Sequence, residues 1–137
     1  MKVVFADAFY FVGLLNREDQ HHARIVAAAR ELRDDLLTTE WVLAEFADAL
    51  AKSASRQLVF QFIRHLEQDS KVRIIRASTE LFRRGLRLYN DRLDKEWSLT
   101  DCISIVVMKD EGLVDALTGD KHFVQAGFNI LFQSSSA

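Results

Sequence analysis

The stretch Ser98–Met108, SLTDCISIVVM, decides the fold of this chain. After Asp101 it runs through seven residues of which only Ser104 is polar. A helix that is apolar on all sides is normally buried, so the stretch predicts a helix in the centre of the domain. Ser98 and Asp101 fit a capping box, in which a serine hydroxyl and an acid three residues later satisfy free N–H groups. The same acid stands where the chain enters the core, which makes it a candidate for chemistry as well as for capping.

Short apolar runs alternate with helical patterns on both sides of this helix. Five runs predict strands: Lys2–Ala6 (KVVFA), Asp35–Thr39 (DLLTT), Lys71–Ala77 (KVRIIRA), Asp115–Gly119 (DALTG) and Phe128–Phe132 (FNILF). Helical patterns cover residues 8–16, 20–34, 40–51, 55–69 and 79–93. Such alternation is typical of a mostly parallel sheet with helices on both faces. The sequence therefore predicts a three-layer α/β/α domain over residues 1–132 and a disordered C-terminal tail at residues 133–137.

Apolar stripes predict which side of two helices faces the core. On the helix over residues 55–69 the stripe is Leu58, Phe62 and Leu66, and on the helix over residues 79–93 it is Phe82, Leu86, Tyr89 and Leu93. Tyr89 is therefore expected in the core. Trp97, which follows the second helix, is a candidate for stacking on nucleic-acid bases.

The composition is that of an ordinary globular domain, with 49% hydrophobic and 28% charged residues among 137. The single cysteine, Cys102, excludes an intrachain disulfide, fits a reducing compartment and is expected as a small buried hydrophobe. No apolar stretch reaches the ~18 residues that a membrane span requires. Asp7 interrupts the apolar N-terminus, which argues against a signal peptide. The sequence predicts a soluble, cytoplasmic protein.

Four acidic residues stand at one predicted edge of the sheet. Asp7 follows the first strand, Asp120 follows the DALTG strand, and Asp101 lies in the first turn of the buried helix. Glu45 lies about 100° from the centre of the apolar stripe of its helix, at the border of the core, with Asp48 as a rival. Each acid alone has a structural explanation as a cap, a turn or a surface residue. Together, at the carboxyl ends of strands, they need a compensating cation, and oxygen-only ligands favour Mg²⁺ or Mn²⁺ over zinc.

Four blocks of the sequence resemble the PIN domain family, most closely the small stand-alone proteins of the VapC toxin type. The blocks are VVFADAFYFVGLLN (3–16), LLTTEWVLAEFADAL (36–50), SLTDCISIVVM (98–108) and LTGDKHF (117–123), and the similarity spans Lys2 to Phe132. The resemblance implies a compact α/β fold and a Mg²⁺- or Mn²⁺-dependent endoribonuclease. Its catalytic and metal-binding residues carry over as Asp7, Glu45, Asp101 and Asp120, with Thr118 supporting the last acid.

The resemblance also implies partners. They are an RNA substrate, a cognate antitoxin of a type II toxin–antitoxin system, and a second copy of the chain in a homodimer. Exposed apolar surface on the helices between Glu40 and Leu66 is the expected groove for a protein partner.

A basic segment offers contacts for RNA phosphates. Residues 71–95 hold eight basic and three acidic residues and so carry a net charge of +5, in a chain whose net charge is −2. The candidates for RNA binding are Arg84, Arg87, Arg92 and Lys95. A solvated helix face explains the same residues equally well.

Other chemistries fit the sequence less well. The spacing Asp120-x-His122 could indicate metal ligation, but His122 is interpreted as a histidine of a loop or helix start. The sequence has no GxGxxG after the first strand and no P-loop. A phosphoacceptor signalling domain would need a pair of acids after the first strand, where Asp7 stands alone. A non-catalytic PIN-like module that binds RNA or protein stays open as the alternative, although four retained acids would then have no physical reason.

Overall fold

The computed structural model describes residues 2–133, so Met1 and residues 134–137 of the predicted tail lie outside the described part. The elements in chain order are β1 (Val3–Ala6), α1 (Ala8–Leu15), α2 (His22–Glu31), β2 (Asp35–Thr39), α3 (Glu40–Ala49), α4 (Ser53–Gln68), β3 (Val72–Ile75), α5 (Thr79–Asp91), α6 (Leu99–Glu111), β4 (Asp115–Leu117), α7 (Lys121–Gln125) and β5 (Asn129–Ile130). None of the helices in this part of the chain is both long and apolar enough to cross a membrane.

The five strands form one all-parallel sheet in the order β3-β2-β1-β4-β5. The chain adds β2 and β3 on one side of β1, then returns to add β4 and β5 on the other side. The strand order therefore reverses between β1 and β4, and in open α/β sheets the ligand crevice lies at this point. Helices flank the sheet, which confirms the predicted α/β architecture.

Helix α6 forms the buried centre that its sequence predicts. Asp101 N donates to Ser98 Oγ at 3.0 Å and Ser98 N donates to Asp101 Oδ2 at 3.1 Å, which confirms the capping box. Most of the helix is buried, including Cys102 as expected. Gly112 ends the helix at φ 67°, a left-handed conformation that glycine adopts without strain.

Helix α5 packs against α6 through a different face from the predicted one. The predicted stripe is exposed: Phe82 at 41%, Leu86 at 44%, Tyr89 at 51% and Leu93 at 86%. Gly85 is buried instead, and a Cβ built there would lie 2.4 Å from Ile103 Cγ1. The helices approach so closely at Gly85 that the small residue, flanked by the partly buried Leu81 and Leu88, forms the contact. The prediction that this stripe, including Tyr89, lies in the core was therefore wrong. Apolar periodicity does not indicate how closely two helix backbones can approach each other.

Trp97 also differs from its prediction. Its side chain is buried at 5% exposure, and Nε1 donates to Gln125 Oε1 at 3.1 Å. A buried indole has no free face for a nucleic-acid base, so the stacking role expected for Trp97 is wrong. On α4, Leu66 is buried as its stripe predicts, whereas Leu58 is 53% exposed.

Candidate active site

Parallel pairing of β1 with β4 places Asp7 beside Thr118. Asp7 directly follows β1, and the register pairs Ala6 with Leu117. Thr118 Oγ1 donates to Asp7 Oδ2 at 2.8 Å and accepts a hydrogen bond from the backbone N–H of Asp120 at 3.1 Å. One buried hydroxyl therefore connects the end of β1 with the loop that carries Asp120.

Asp7 is a buried carboxyl group with a strongly shifted pKa. Its residue is 5% exposed, and burial raises its pKa from 3.8 to about 7. The hydrogen bond from Thr118 lowers this pKa, while the charges of Glu45 and Asp101 raise it further. Without a cation, burial therefore favours the protonated form of Asp7 to a much higher pH than in an ordinary aspartate.

Asp101, Asp120 and His122 form a compact group of metal-ligand atoms. His122 Nδ1 lies 2.9 Å from Asp101 Oδ2 and 3.4 Å from Asp120 Oδ1. Asp120 begins α7 as its N-cap, since its Oδ1 accepts from the backbone N–H of His122 at 2.9 Å. The three ligand atoms lie within 4.8 Å of one another. Two carboxylates and an imidazole at this spacing are a donor set suited to a divalent cation.

Glu45 reaches the same group from α3. Thr39 ends β2 and caps α3, with its Oγ1 accepting from Val42 N at 3.1 Å, so the helix leaves the sheet directly from the strand end. The sequence predicts Glu45 at the border of the core, whereas in the structure this residue is exposed. Partial desolvation raises its pKa, and the charges of Asp101 and Asp120 raise it further. Glu45 therefore lies at the mouth of the acidic crevice.

The structure places the predicted acids in two sets. Asp101 and Asp120 belong to the compact group, whereas Asp7 and Glu45 lie outside it and are coupled to it by their charges. His122 was missed as a member of the site, because the spacing Asp120-x-His122 does not show that Asp101, from another helix, lies beside the imidazole. The Asp-x-His spacing could have indicated the site, because it places an N-cap acid and an imidazole in one helical turn.

Two of the predicted RNA-binding residues lie over Trp97. The Arg92 guanidinium carbon is 5.1 Å and Lys95 Nζ is 6.0 Å from the centroid of the Trp97 ring. Arg92 Nε also pairs with Asp94 at 3.0 Å. Trp97 precedes the cap of α6 by one residue, so both cations are held beside the segment that leads to Asp101.

The other two predicted RNA-binding residues lie on α5. Arg84 makes a bidentate ion pair with Asp110, with N–O distances of 2.5 and 2.7 Å. Arg87 is exposed, and within residues 2–133 it makes no ion pair.

Fold and site together define a parallel α/β domain with an acidic crevice where the strand order reverses. The family model described as PIN domain matches residues 4–129. The chain belongs to the PIN domain family, which confirms the resemblance read from its four blocks.

Solved structures of other proteins share the fold. VapC20 of Mycobacterium tuberculosis, described as a sarcin-ricin loop cleaving toxin, has a TM-score of 0.82 at 21% identity, over 91% of this chain and 95% of that one. FitAcB of Neisseria gonorrhoeae has a TM-score of 0.66 at 19% identity (94% and 96% covered). VapBC2 of Rickettsia felis, bound to a promoter DNA fragment, has a TM-score of 0.64 at 13% identity (93% and 96% covered). No curated protein sequence matches the chain.

Proposed function

We propose that this chain is a metal-dependent endoribonuclease that hydrolyses RNA phosphodiester bonds. The observation that carries the proposal is the group of Asp101, Asp120 and His122, with ligand atoms within 4.8 Å, coupled electrostatically to Asp7 and Glu45. Several acids that raise one another's pKa are costly without a cation. A divalent cation removes this cost, which supports Mg²⁺ or Mn²⁺ as the cofactor.

The residues of the site would have different roles in holding the cation. Asp101 and Asp120 would hold the cation, and Asp7 and Glu45 would contact it directly or through water. A bound cation supplies a water of lowered pKa and stabilises charge on the scissile phosphate. Thr118 holds the Asp7 carboxylate and the Asp120 backbone in one arrangement through its two hydrogen bonds. His122 would offer Nδ1, which lies beside both carboxylates, as a third ligand atom.

RNA phosphates need positive charge beside the acids. The proposal assigns this role to Arg84, Arg87, Arg92 and Lys95. The position of Arg92 and Lys95 over Trp97, four residues before Asp101, supports their part in it. Arg84 is paired with Asp110, so it would have to exchange this partner for a phosphate before it could bind RNA.

We further propose that the protein is the toxin of a type II toxin–antitoxin pair in the cytoplasm. A groove of about 360 Å³ between the end of α1 and the α3–α4 connection is lined in part by Leu15, Leu50, Leu58 and Val59. Leu58, which lines this groove, is 53% exposed. An apolar segment of an antitoxin would bury these side chains, in the region between Glu40 and Leu66 that the sequence suggests.

The exposed stripe of α5 supports the proposed homodimer. Phe82, Leu86 and Tyr89 lie on one face of α5, Leu93 follows two residues after the helix ends, and all four are at least 41% exposed. Contiguous apolar surface of this kind commonly marks a protein–protein contact. A second copy of α5 would cover it.

The test of the proposed activity is cleavage of a panel of structured and single-stranded RNAs. We expect strand scission with Mg²⁺ or Mn²⁺ and none with EDTA, because the acids alone cannot activate water. Product ends mapped on gels would identify the cut positions. Absence of cutting with either metal, by a folded protein that still binds RNA, would favour the non-catalytic PIN-like module.

His122 is expected to adjust which metal the site prefers. Imidazole suits the later transition metals better than Mg²⁺, and the predicted oxygen-only ligand set lacks this nitrogen. The quantity compared is the metal concentration that gives half of the maximal thermal stabilisation. We expect His122→Gln to raise this concentration about tenfold for Co²⁺ and much less for Mg²⁺. Thermal unfolding with increasing metal measures both values.

The matched control is His65→Gln, because His65 is an exposed histidine on α4. It should leave both metal titrations unchanged. Equal Co²⁺ titrations for wild type and His122→Gln would show that His122 does not contact the metal.

A further inference from the structure

An aromatic surface adjoins the acidic crevice and has no role in the function proposed so far. Phe9 lies two residues after Asp7, and its ring covers Gly119, the residue before Asp120. A Cβ built on Gly119 would lie 2.6 Å from Phe9 Cζ and 2.9 Å from the Phe132 carbonyl oxygen. Phe9 therefore lies next to the site in two ways: it is in the first turn of α1, just after Asp7, and its ring contacts the loop after β4. We call Phe9, His21, Arg24 and Phe132 the aromatic wall.

The wall is held together by ring contacts. The His21 ring lies 4.9 Å from the Phe9 ring, between centroids, at an interplanar angle of 44°. Phe132 lies 6.2 Å from Phe9. The Arg24 guanidinium carbon stands 5.4 Å above the centre of the Phe132 ring. Three chain segments thus present rings and a guanidinium group on one surface.

Phe9, His21 and Arg24 of the wall remain at least partly open to solvent, whereas Phe132 is buried at 3% exposure and supports them from below. Tyr10 and Phe11, the next residues after Phe9, are buried at 4% and 0% exposure. Phe9 and His21 are only partly buried, and Arg24 is exposed. Among residues 2–133 the His21 ring has no hydrogen-bond partner and the Arg24 side chain has no ion pair. Rings and donors left free beside a reaction site are available to a ligand.

We propose that the aromatic wall is a base-stacking subsite for the nucleotide next to the scissile phosphate. Bases of single-stranded RNA stack on aromatic and imidazole rings and on guanidinium planes. In this arrangement Phe9 and His21 take the base and Arg24 takes a flanking phosphate. The inference rests on the proposed ribonuclease function, and adds that the enzyme requires an unpaired base at the cut.

The chemistry of the two sides of the crevice makes the inference specific. Arg92 and Lys95 beside Trp97 are cations that fit phosphates, and Trp97 itself is buried. The aromatic wall is the surface next to Asp7 and Asp120 with partly open rings. A bound RNA strand would therefore place phosphates against the cations and one base against Phe9.

The experiment measures binding of two probes in EDTA, where no cleavage occurs. One probe is a short single-stranded adenylate RNA and the other is an abasic ribose-phosphate chain of equal length, both followed by fluorescence anisotropy. We expect Phe9→Leu and His21→Ala to weaken binding of the adenylate RNA at least about fivefold and to leave the abasic chain unchanged. Arg24→Gln should weaken both probes equally, since a phosphate contact does not depend on the base.

The matched control is Arg30→Gln, because Arg30 is an exposed arginine on the same helix and lies outside the wall. It should leave both probes unchanged. Thermal unfolding checks that the variants fold, and His21→Ala decides the matter if Phe9→Leu is unstable.

The possible results separate the two proposals. Wild-type cleavage with metal, together with unchanged adenylate binding by a folded His21→Ala variant, would overturn the subsite alone. A wild type that neither binds RNA nor cuts it with Mg²⁺ or Mn²⁺ would overturn the ribonuclease function and the subsite with it.

Discussion

Asp101→Asn is expected to lower RNA cleavage by about 100-fold or more while the protein stays folded. The substitution removes the negative charge that would hold the cation beside Asp120 and His122. It keeps a carbonyl oxygen that can accept the hydrogen bond from Ser98 N, now 3.1 Å from Asp101 Oδ2. The capping box of α6 therefore survives in large part, and the melting temperature should change by only a few degrees. Initial cleavage rates at saturating Mn²⁺, with melting curves on the same samples, make the measurement.

Asp110→Asn is the matched control for Asp101→Asn, because it changes the same chemical group on the same helix. Asp110 pairs with Arg84 on the surface, where ion pairs contribute about 0–1 kcal/mol. Its substitution frees the guanidinium of Arg84 for RNA phosphates, so the cleavage rate should not fall below that of the wild type. Equal loss of activity in the two variants, or none in Asp101→Asn, would remove Asp101 from the mechanism.

Asp7→Asn is expected to stabilise the metal-free protein near neutral pH and to abolish its stabilisation by metal. The folded protein binds a proton at Asp7 up to about pH 7, whereas the pKa of an ordinary aspartate is 3.8. Between these values the folded state binds more protons than the unfolded state, so the free energy of unfolding falls as pH rises. Asparagine removes this penalty and can still accept the Thr118 hydrogen bond. We expect a gain of about 1–3 kcal/mol at about pH 7.5 and little gain near pH 4.

Asp115→Asn is expected to change the free energy of unfolding in the opposite direction. Asp115 is as buried as Asp7, but Lys2 and Asn129 bind its carboxylate and hold its pKa below the ordinary value. Its ionised form therefore stabilises the fold above the ordinary aspartate pKa, and this stability is lost as pH falls through the lowered pKa. We expect Asp115→Asn to destabilise the protein by about 1 kcal/mol near neutral pH, since Lys2 is largely exposed.

Denaturant unfolding at about pH 5 and about pH 7.5, in EDTA and in Mn²⁺, would measure the two aspartate effects. Mn²⁺ should stabilise the wild type and Asp115→Asn, and should fail to stabilise Asp7→Asn. A destabilised Asp7→Asn protein in EDTA at the higher pH would contradict the strained carboxylate inferred for this site.

Much of the fold and three of the acid positions follow from local sequence patterns. The five strand runs match β1 to β5 within a few residues at each end, and the parallel sheet follows from their alternation with helices. Asp7, Asp101 and Asp120 stand directly after a strand or in a helix cap, where chain order alone indicates the edge of the sheet. The exposure of Glu45 could not be predicted, because a helical wheel gives the direction of a side chain around the helix but not how deeply it is buried.

The sequence by itself determined the order of the five strands and of helices α1 to α6, the parallel sheet, the buried α6 with its cap, and the sheet edge at which the acids stand, whereas α7 was not predicted. Each of these depends on the periodicity or spacing of residues close together in the chain. Only the tertiary structure decided which face of α5 packs on α6, since that choice depends on a backbone approach at Gly85. It also decided that His122 lies 2.9 Å from Asp101 and that the His21 ring contacts the Phe9 ring beside Gly119. Such contacts join segments far apart in sequence, and packing distances, which no local pattern contains, determine them.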